Sequence, residues 1–171
     1  MSRDAFEKAV DLVLEIEGVY SNDPDDPGRE TKYGISKAAH PDVDIPSLTL
    51  EGAKGIYRRC YWDQFSCGTL PWPLAFLLFD CVVQFNPVHP TRWLQSALGV
   101  TIDGVLGPKT FAAARACKDP VTAATQVMVY RGEYRLTHPK YWKYGRGWRK
   151  RDLVVLCEAV CYRAPAGWTH A

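Results

Sequence analysis

Apolar side chains recur near the start of the chain at Phe6, Val10 and Val13, with Glu17 next in the series. Spacings of four, three and four place these positions on one face of a helix over residues 4–17. Gly18 supplies a stop, and Pro24 and Pro27 forbid continuation. Residues 19–36 lose the helical period and read as an irregular loop leading into a short strand or hairpin around Thr31 to Ile35. Helical phase returns in TLEGAKGIYRRCYWDQF, with Thr49 as N-cap and Glu51 near the positive end of the helix dipole. Leu74 to Phe85 is apolar nearly all round and predicts a buried helix. Further helices are expected over His89–Leu98, 109–117 after Pro108, Val121 to about Tyr134, and Arg149–Arg163. The pattern is mainly α with one small hairpin after the first helix. Pro87, Pro90 and the turns of Gly99 to Pro108 mark a border between regions 1–90 and 91–171, expected to pack as one compact unit.

Composition narrows the class without changing this picture. The chain has 171 residues, 47% hydrophobic and 23% charged, enough for a well-buried core and unlike a disordered or fibrous protein. The run Leu70 to Phe79 is broken by prolines and is half the roughly 20 residues that cross a bilayer. The opening MSRDAFEKAV places acids where an export signal has a basic segment, so a cytoplasmic protein is expected. On that compartment argument the six cysteines, at 60, 67, 81, 117, 157 and 161, are expected to be free and mostly buried. With no CxxC and the histidines scattered at 40, 89, 138 and 170, neither a metal nor another cofactor is expected. Net charge is only +2, yet KYGRGWRKR, Lys143 to Arg151, holds five cations. That run reads equally as a solvated helix start and as an anion-binding patch.

Chemistry concentrates in EIEGVYSNDPDDPGRETKYGIS, Glu15 to Ser36. At about 100° per residue, Glu17 falls near the phase of Phe6, whereas Glu15 falls on the opposite, polar side. An inward acid in the last turn of a helix meets both desolvation and the negative dipole end, and both favour the protonated form. Position therefore makes Glu17 a candidate general acid. The loop offers Asp23, Asp25 and Asp26 as possible second carboxylates, and Thr31 a hydroxyl to position water, the ingredients of glycoside hydrolysis. An EF-hand counted from Asp23 fails, since Pro27 falls at its fifth position and Gly34 at its twelfth. No phosphate-binding glycine loop occurs.

The phrase EGVYSNDPDDPGRETKYGIS resembles the N-terminal signature of the phage and prophage N-acetylmuramidases of glycoside hydrolase family 108, matching nearly every element in order. LQSALGVTIDGVLGPKTFAAA, Leu94 to Ala114, resembles the predicted peptidoglycan-binding region that follows in those proteins. Two positions depart from the signature: Val19 and Arg29 stand where glycines are usual, and neither removes a reacting group. The resemblance implies a lysozyme-like helical fold and cleavage of the β-1,4 bond between N-acetylmuramic acid and N-acetylglucosamine. It places the catalytic glutamate at Glu17, with Asp26 or Asp23 as second carboxylate, and Asp26 and Thr31 echoing the Glu, Asp, Thr order of helical phage lysozymes.

A glycan groove wants aromatics with a polar handle and amide donors; Tyr20, Asn22, Tyr33, Tyr61, Trp62, Gln84 and Asn86 are candidates. The expected partner is the peptidoglycan glycan strand, met by a monomer without nucleic acid and without stable membrane insertion. As an endolysin it would stay in the host cytoplasm until a separate pore-forming protein released it to the wall. The competing readings are a lytic transglycosylase on the same bond and a wall-binding protein without catalysis.

Overall fold

The computed structural model describes residues 5–17, 20–22 and 30–161, and at Glu17 and residues 20–22 the backbone alone. In chain order the elements are α1 (Ala5–Glu17), β1 (Tyr20–Asn22), β2 (Glu30–Lys32), β3 (Ile35–Ser36) and α2 (Leu50–Tyr57). A π-helical segment, Arg58–Asp63, and a 3-10 turn, Cys67–Thr69, lead to α3 (Trp72–Gln84), α4 (Val88–Ala97), α5 (Pro108–Arg115), α6 (Pro120–Leu136) and α7 (Tyr141–Cys161). The chain divides after Trp62 into two compact units.

In the first unit Phe6, Val10 and Val13 of the expected α1 row are buried, together with Ala9, and Glu15 is exposed, while the Glu17 side chain lies outside the described residues. The ring of Phe6 meets Trp62 edge-on at 5.8 Å, and the Arg58 guanidinium lies 4.4 Å from its centroid. Lys54 of α2 reaches back to Asp11 at 2.8 Å and Glu7 at 3.1 Å on α1. The hydrogen bond that Lys54 donates to Asp11 is the main reason its ammonium is held above its ordinary pKa. Thr49 caps α2 as expected, its Oγ1 accepting from the Gly52 amide at 3.1 Å.

The single helix expected from Thr49 to Phe65 is not formed. Its α-helical part ends at Tyr57 and continues as the π-helical segment. The wider i→i+5 turn brings Trp62, five residues after the buried Tyr57, back toward the core side. Trp62 is thus a core residue rather than part of a sugar groove.

The second unit is built on α3, whose residues from Leu74 to Val82 are all buried, with α4, α6 and α7 packed against it. One residue in that apolar run is an acid. Asp80 is fully buried, paired with Arg131 of α6 and, at 2.6 Å, with Arg151 of α7. Arg131 also reaches Asp152 at 2.8 Å, and Arg135 approaches the same carboxylate at 3.0 Å. Burial alone would push the Asp80 carboxyl up, but the two guanidiniums outweigh it and hold the group below the usual carboxylate range.

Two expectations are corrected here. First, α7 begins at Tyr141, so the basic run lies inside a helix instead of opening one at Arg149. Gly145, within α7, leaves space for Tyr141: a Cβ there would come within 2.8 Å of that ring. Second, the six cysteines are free but not mostly buried. Cys67 and Cys81 are buried, Cys60 and Cys117 are half-buried, and Cys157 and Cys161 are exposed on α7. Burial pushes the Cys81 thiol up to about 11.

Replacing Asp80 by Asn removes the fully buried carboxylate that Arg131 and Arg151 share, leaving more buried positive than negative charge, and should lower stability by about 3–5 kcal/mol in urea unfolding. Since the native pKa of Asp80 lies below its unfolded value, its contribution is full above that unfolded value and is lost as pH falls through the native one. Wild type should therefore lose stability in acid more steeply than Asp80→Asn.

Candidate active site

Within the first unit, α1 delivers Glu17 as its last residue, and β1 begins three residues later. Three trans peptides span at most about 11 Å, so Glu17 is tethered close to the sheet edge whatever path the link takes. β1 and β2 pair antiparallel, with Ser21 opposite Thr31 and Tyr20 opposite Lys32; β2 and β3 pair with Thr31 opposite Ser36 and Lys32 opposite Ile35. Side chains alternate along a strand, and Ile35 is buried, so Thr31 lies on the face opposite Ile35. The hairpin expected around Thr31 to Ile35 is present, and β1 adds a strand that the sequence pattern did not mark.

A two-residue loop, Tyr33–Gly34, joins β2 to β3 with φ of 53° and 75°. Both values are positive, the signature of the turn whose twist matches a hairpin. Glycine accepts this freely and tyrosine does not. The Tyr57 hydroxyl, on a fully buried ring at the end of α2, donates to the Tyr33 carbonyl at 3.0 Å and fastens the strained residue. Lys32 and Lys37 brace the following loop, donating to the carbonyls of Pro46 and Val43 at 2.8 Å each. His40 faces Tyr61, with Nε2 3.2 Å from its hydroxyl, and burial lowers the imidazole pKa.

Of the candidate site residues, the backbone places Glu17, Tyr20, Asn22, Thr31 and Tyr33 at the end of α1 and in the sheet that follows it. Asp23, Asp25 and Asp26, with the departures Val19 and Arg29, lie outside the described residues. Gln84 and Asn86 belong to the second unit. The Gln84 side-chain oxygen accepts from Arg131 at 2.9 Å and Arg135 at 2.6 Å, and the Asn86 Oδ1 accepts from the Val88 amide at 3.1 Å where α4 begins.

The second unit holds a separate polar node. Gln95 of α4 is buried, and its Nε2 donates to Asp103 Oδ1 at 2.6 Å, to the Val105 carbonyl at 3.0 Å and to Thr110 Oγ1 at 3.2 Å. Its Oε1 accepts from the Gly104 amide at 2.9 Å. Gly104 has φ of 76°, and a Cβ there would sit 3.1 Å from Arg92 Nε, so the turn demands glycine. One side chain thereby fastens the loop Gly99–Gly107. Beside it lies a cleft of 290 Å³ lined by Gly99, Thr101, Asp103, Lys109 and Thr110. The amide of Val105 and then Gln95 hold the Asp103 carboxyl below its ordinary pKa.

Residues 10–85 match the family described as Glycosyl hydrolase 108, and residues 89–153 match a predicted peptidoglycan domain. The chain is a glycoside hydrolase whose N-terminal region is similar to family 108. Among solved structures, SagA of Brucella abortus superposes on this glycoside hydrolase with a TM-score of 0.82 at 28% identity, over 94% of this chain and 97% of that one. Comparison with curated proteins finds no match. The fold is the mainly α, lysozyme-like one that the signature implies, and the two matched regions make the protein a peptidoglycan hydrolase. Its matched regions meet between residues 85 and 89, where α4 begins.

Two positioning residues of this hydrolase escape a reading by motif. Tyr57 is one, since nothing local links it to a turn 24 residues earlier. Gln95 is the other, and it carries a signal: with Thr91, Leu94 and Leu98 it shares an apolar helix face, where a polar residue calls for buried partners.

Tyr57→Phe removes the hydroxyl that donates to the Tyr33 carbonyl and should cost about 1 kcal/mol. Amides of residues 30–36 should then exchange faster with deuterium, while those of α3 keep their protection. Gln95→Leu should cost about 2–3 kcal/mol and speed exchange across Gly99–Gly107, with the sheet of the first unit unaffected.

Proposed function

We propose that the enzyme is an N-acetylmuramidase that hydrolyses the β-1,4 bond between N-acetylmuramic acid and N-acetylglucosamine, with Glu17 as general acid. One placement carries this reading: Glu17 closes α1 inside the family-matched segment, and the short sheet holding Thr31 begins immediately after it. In the proposed reaction Glu17 gives its proton to the bridging oxygen as that bond to the anomeric carbon breaks, releasing the N-acetylglucosamine end. Asp26 or Asp23 stabilises the positive sugar or takes a proton from water. Water supplies the new hydroxyl at the anomeric carbon, positioned by the Thr31 side chain. Tyr20, Asn22 and Tyr33 border the acidic loop and provide ring faces and an amide for sugar hydroxyls. In the same proposal the protein is a phage or prophage endolysin, held in the host cytoplasm until a separate pore admits it to the wall.

Purified peptidoglycan digested with wild type and with Glu17→Gln distinguishes the outcomes, the products being reduced and weighed by mass spectrometry. Wild type should release fragments ending in reducible N-acetylmuramic acid, and Glu17→Gln should be slower by at least about 100-fold. Equal digestion by both proteins would remove Glu17 from the mechanism. A 1,6-anhydro end in the wild-type products would replace hydrolysis by transglycosylation.

A further inference from the structure

The basic run of α7 is divided by helix phase. Arg151 turns inward to Asp80, while Lys143, Arg146, Arg149 and Lys150 are exposed. At 100° per residue, Trp142, Arg146, Arg149, Lys150 and Leu153 fall within an arc of roughly 100° on the outer side. Trp142 is 85% exposed and Leu153 64%, and Leu136, at the end of α6, is 62% exposed. Between Glu133 and Asp152 the sequence contains no acid, and Asp152 is engaged by Arg131 and Arg135. Alongside this face, a largely apolar groove of 300 Å³ runs between α6 and α7, lined by Met128, Val129, Leu153 and Leu156 together with Arg149 and Asp152.

Cations alone would suit any polyanion. A fully presented indole and leucine among them, beside an apolar groove, suit a surface that is anionic outside and hydrocarbon beneath. Among the described residues no helix is long and apolar enough to cross a membrane, so such contact is peripheral. We propose that the outer face of α7 is a docking surface for an anionic phospholipid bilayer. Arg146, Arg149 and Lys150 meet the headgroup phosphates, while Trp142 and Leu153 enter the interface. The site is independent of the glycosidase assignment and gives a peptidoglycan hydrolase a means of staying at the membrane that borders its substrate.

Co-sedimentation of the full chain with vesicles of phosphatidylglycerol and phosphatidylethanolamine tests this against vesicles of phosphatidylcholine alone. Binding should require the anionic lipid and weaken as salt rises from 0.05 to 0.5 M. The combined change Arg146→Gln, Arg149→Gln and Lys150→Gln should weaken it by on the order of 100-fold. Trp142→Ala should weaken it several-fold, with little change in the salt dependence. Both variants should keep the wild-type circular dichroism and digest soluble peptidoglycan fragments at the wild-type rate, and Glu17→Gln should bind vesicles normally. Absence of wild-type binding to the anionic vesicles, or equal binding by the variants, overturns the proposal. If the same changes reduce binding to isolated sacculi while vesicles are ignored, the face is a wall site and the lipid assignment is wrong.

Discussion

A carboxylate buried in the middle of an otherwise apolar helix governs the second unit. Asp80 is reached by guanidiniums from residues 51 and 71 positions later in the chain, one on α6 and one on α7. Apolar packing alone lets helices slide or rotate at modest cost, because one hydrocarbon contact substitutes for another. A buried charge allows no such exchange: without its partners it costs several kcal/mol. The pairings therefore fix the rotation of α6 and α7 about their own axes. Gln84, Asp152 and Arg135 extend the same network, and the rings of Phe85 and Trp148 lie against Arg135 at 4.9 and 5.3 Å.

That fixed rotation has a consequence on the outside of the molecule. Because Arg151 must face inward, helix periodicity obliges Arg146 and Lys150 to face outward, with Trp142 one turn before Arg146. A single cluster of cations in the sequence becomes one structural ion pair and one exposed surface. The interior pairing and the exterior patch are two results of the same helix phase.

The first unit obtains its geometry differently, from backbone constraint held by distant side chains. Its sheet is very short, and the turn at its tip places a tyrosine at positive φ. Short strands contribute few ladder bonds, so Tyr57, Lys32 and Lys37 supply fastening from other segments. Such an arrangement keeps a hairpin with a polar face at the end of α1, next to the residue proposed as acid. Strain of this kind persists where surrounding structure over-determines it.

Local patterns in the sequence determined the helix count, the cap at Thr49, the buried character of α3, the row Phe6, Val10 and Val13, and the family signature with Glu17 in phase. Each depends on residues within a turn or two of one another, or on an uninterrupted motif, so periodicity and turn chemistry suffice. Tertiary structure alone decided the rest. The pairing of Asp80 with Arg131 and Arg151, the fastening of Tyr33 by Tyr57, the switch to a π-helical turn before Trp62 and the continuation of α7 through Gly145 all depend on partners or packing outside the local pattern. The same distinction separates Arg151 from Arg149 and Lys150. Their neighbourhood in the sequence is shared, but only a buried carboxylate on another helix determines which of them turns inward.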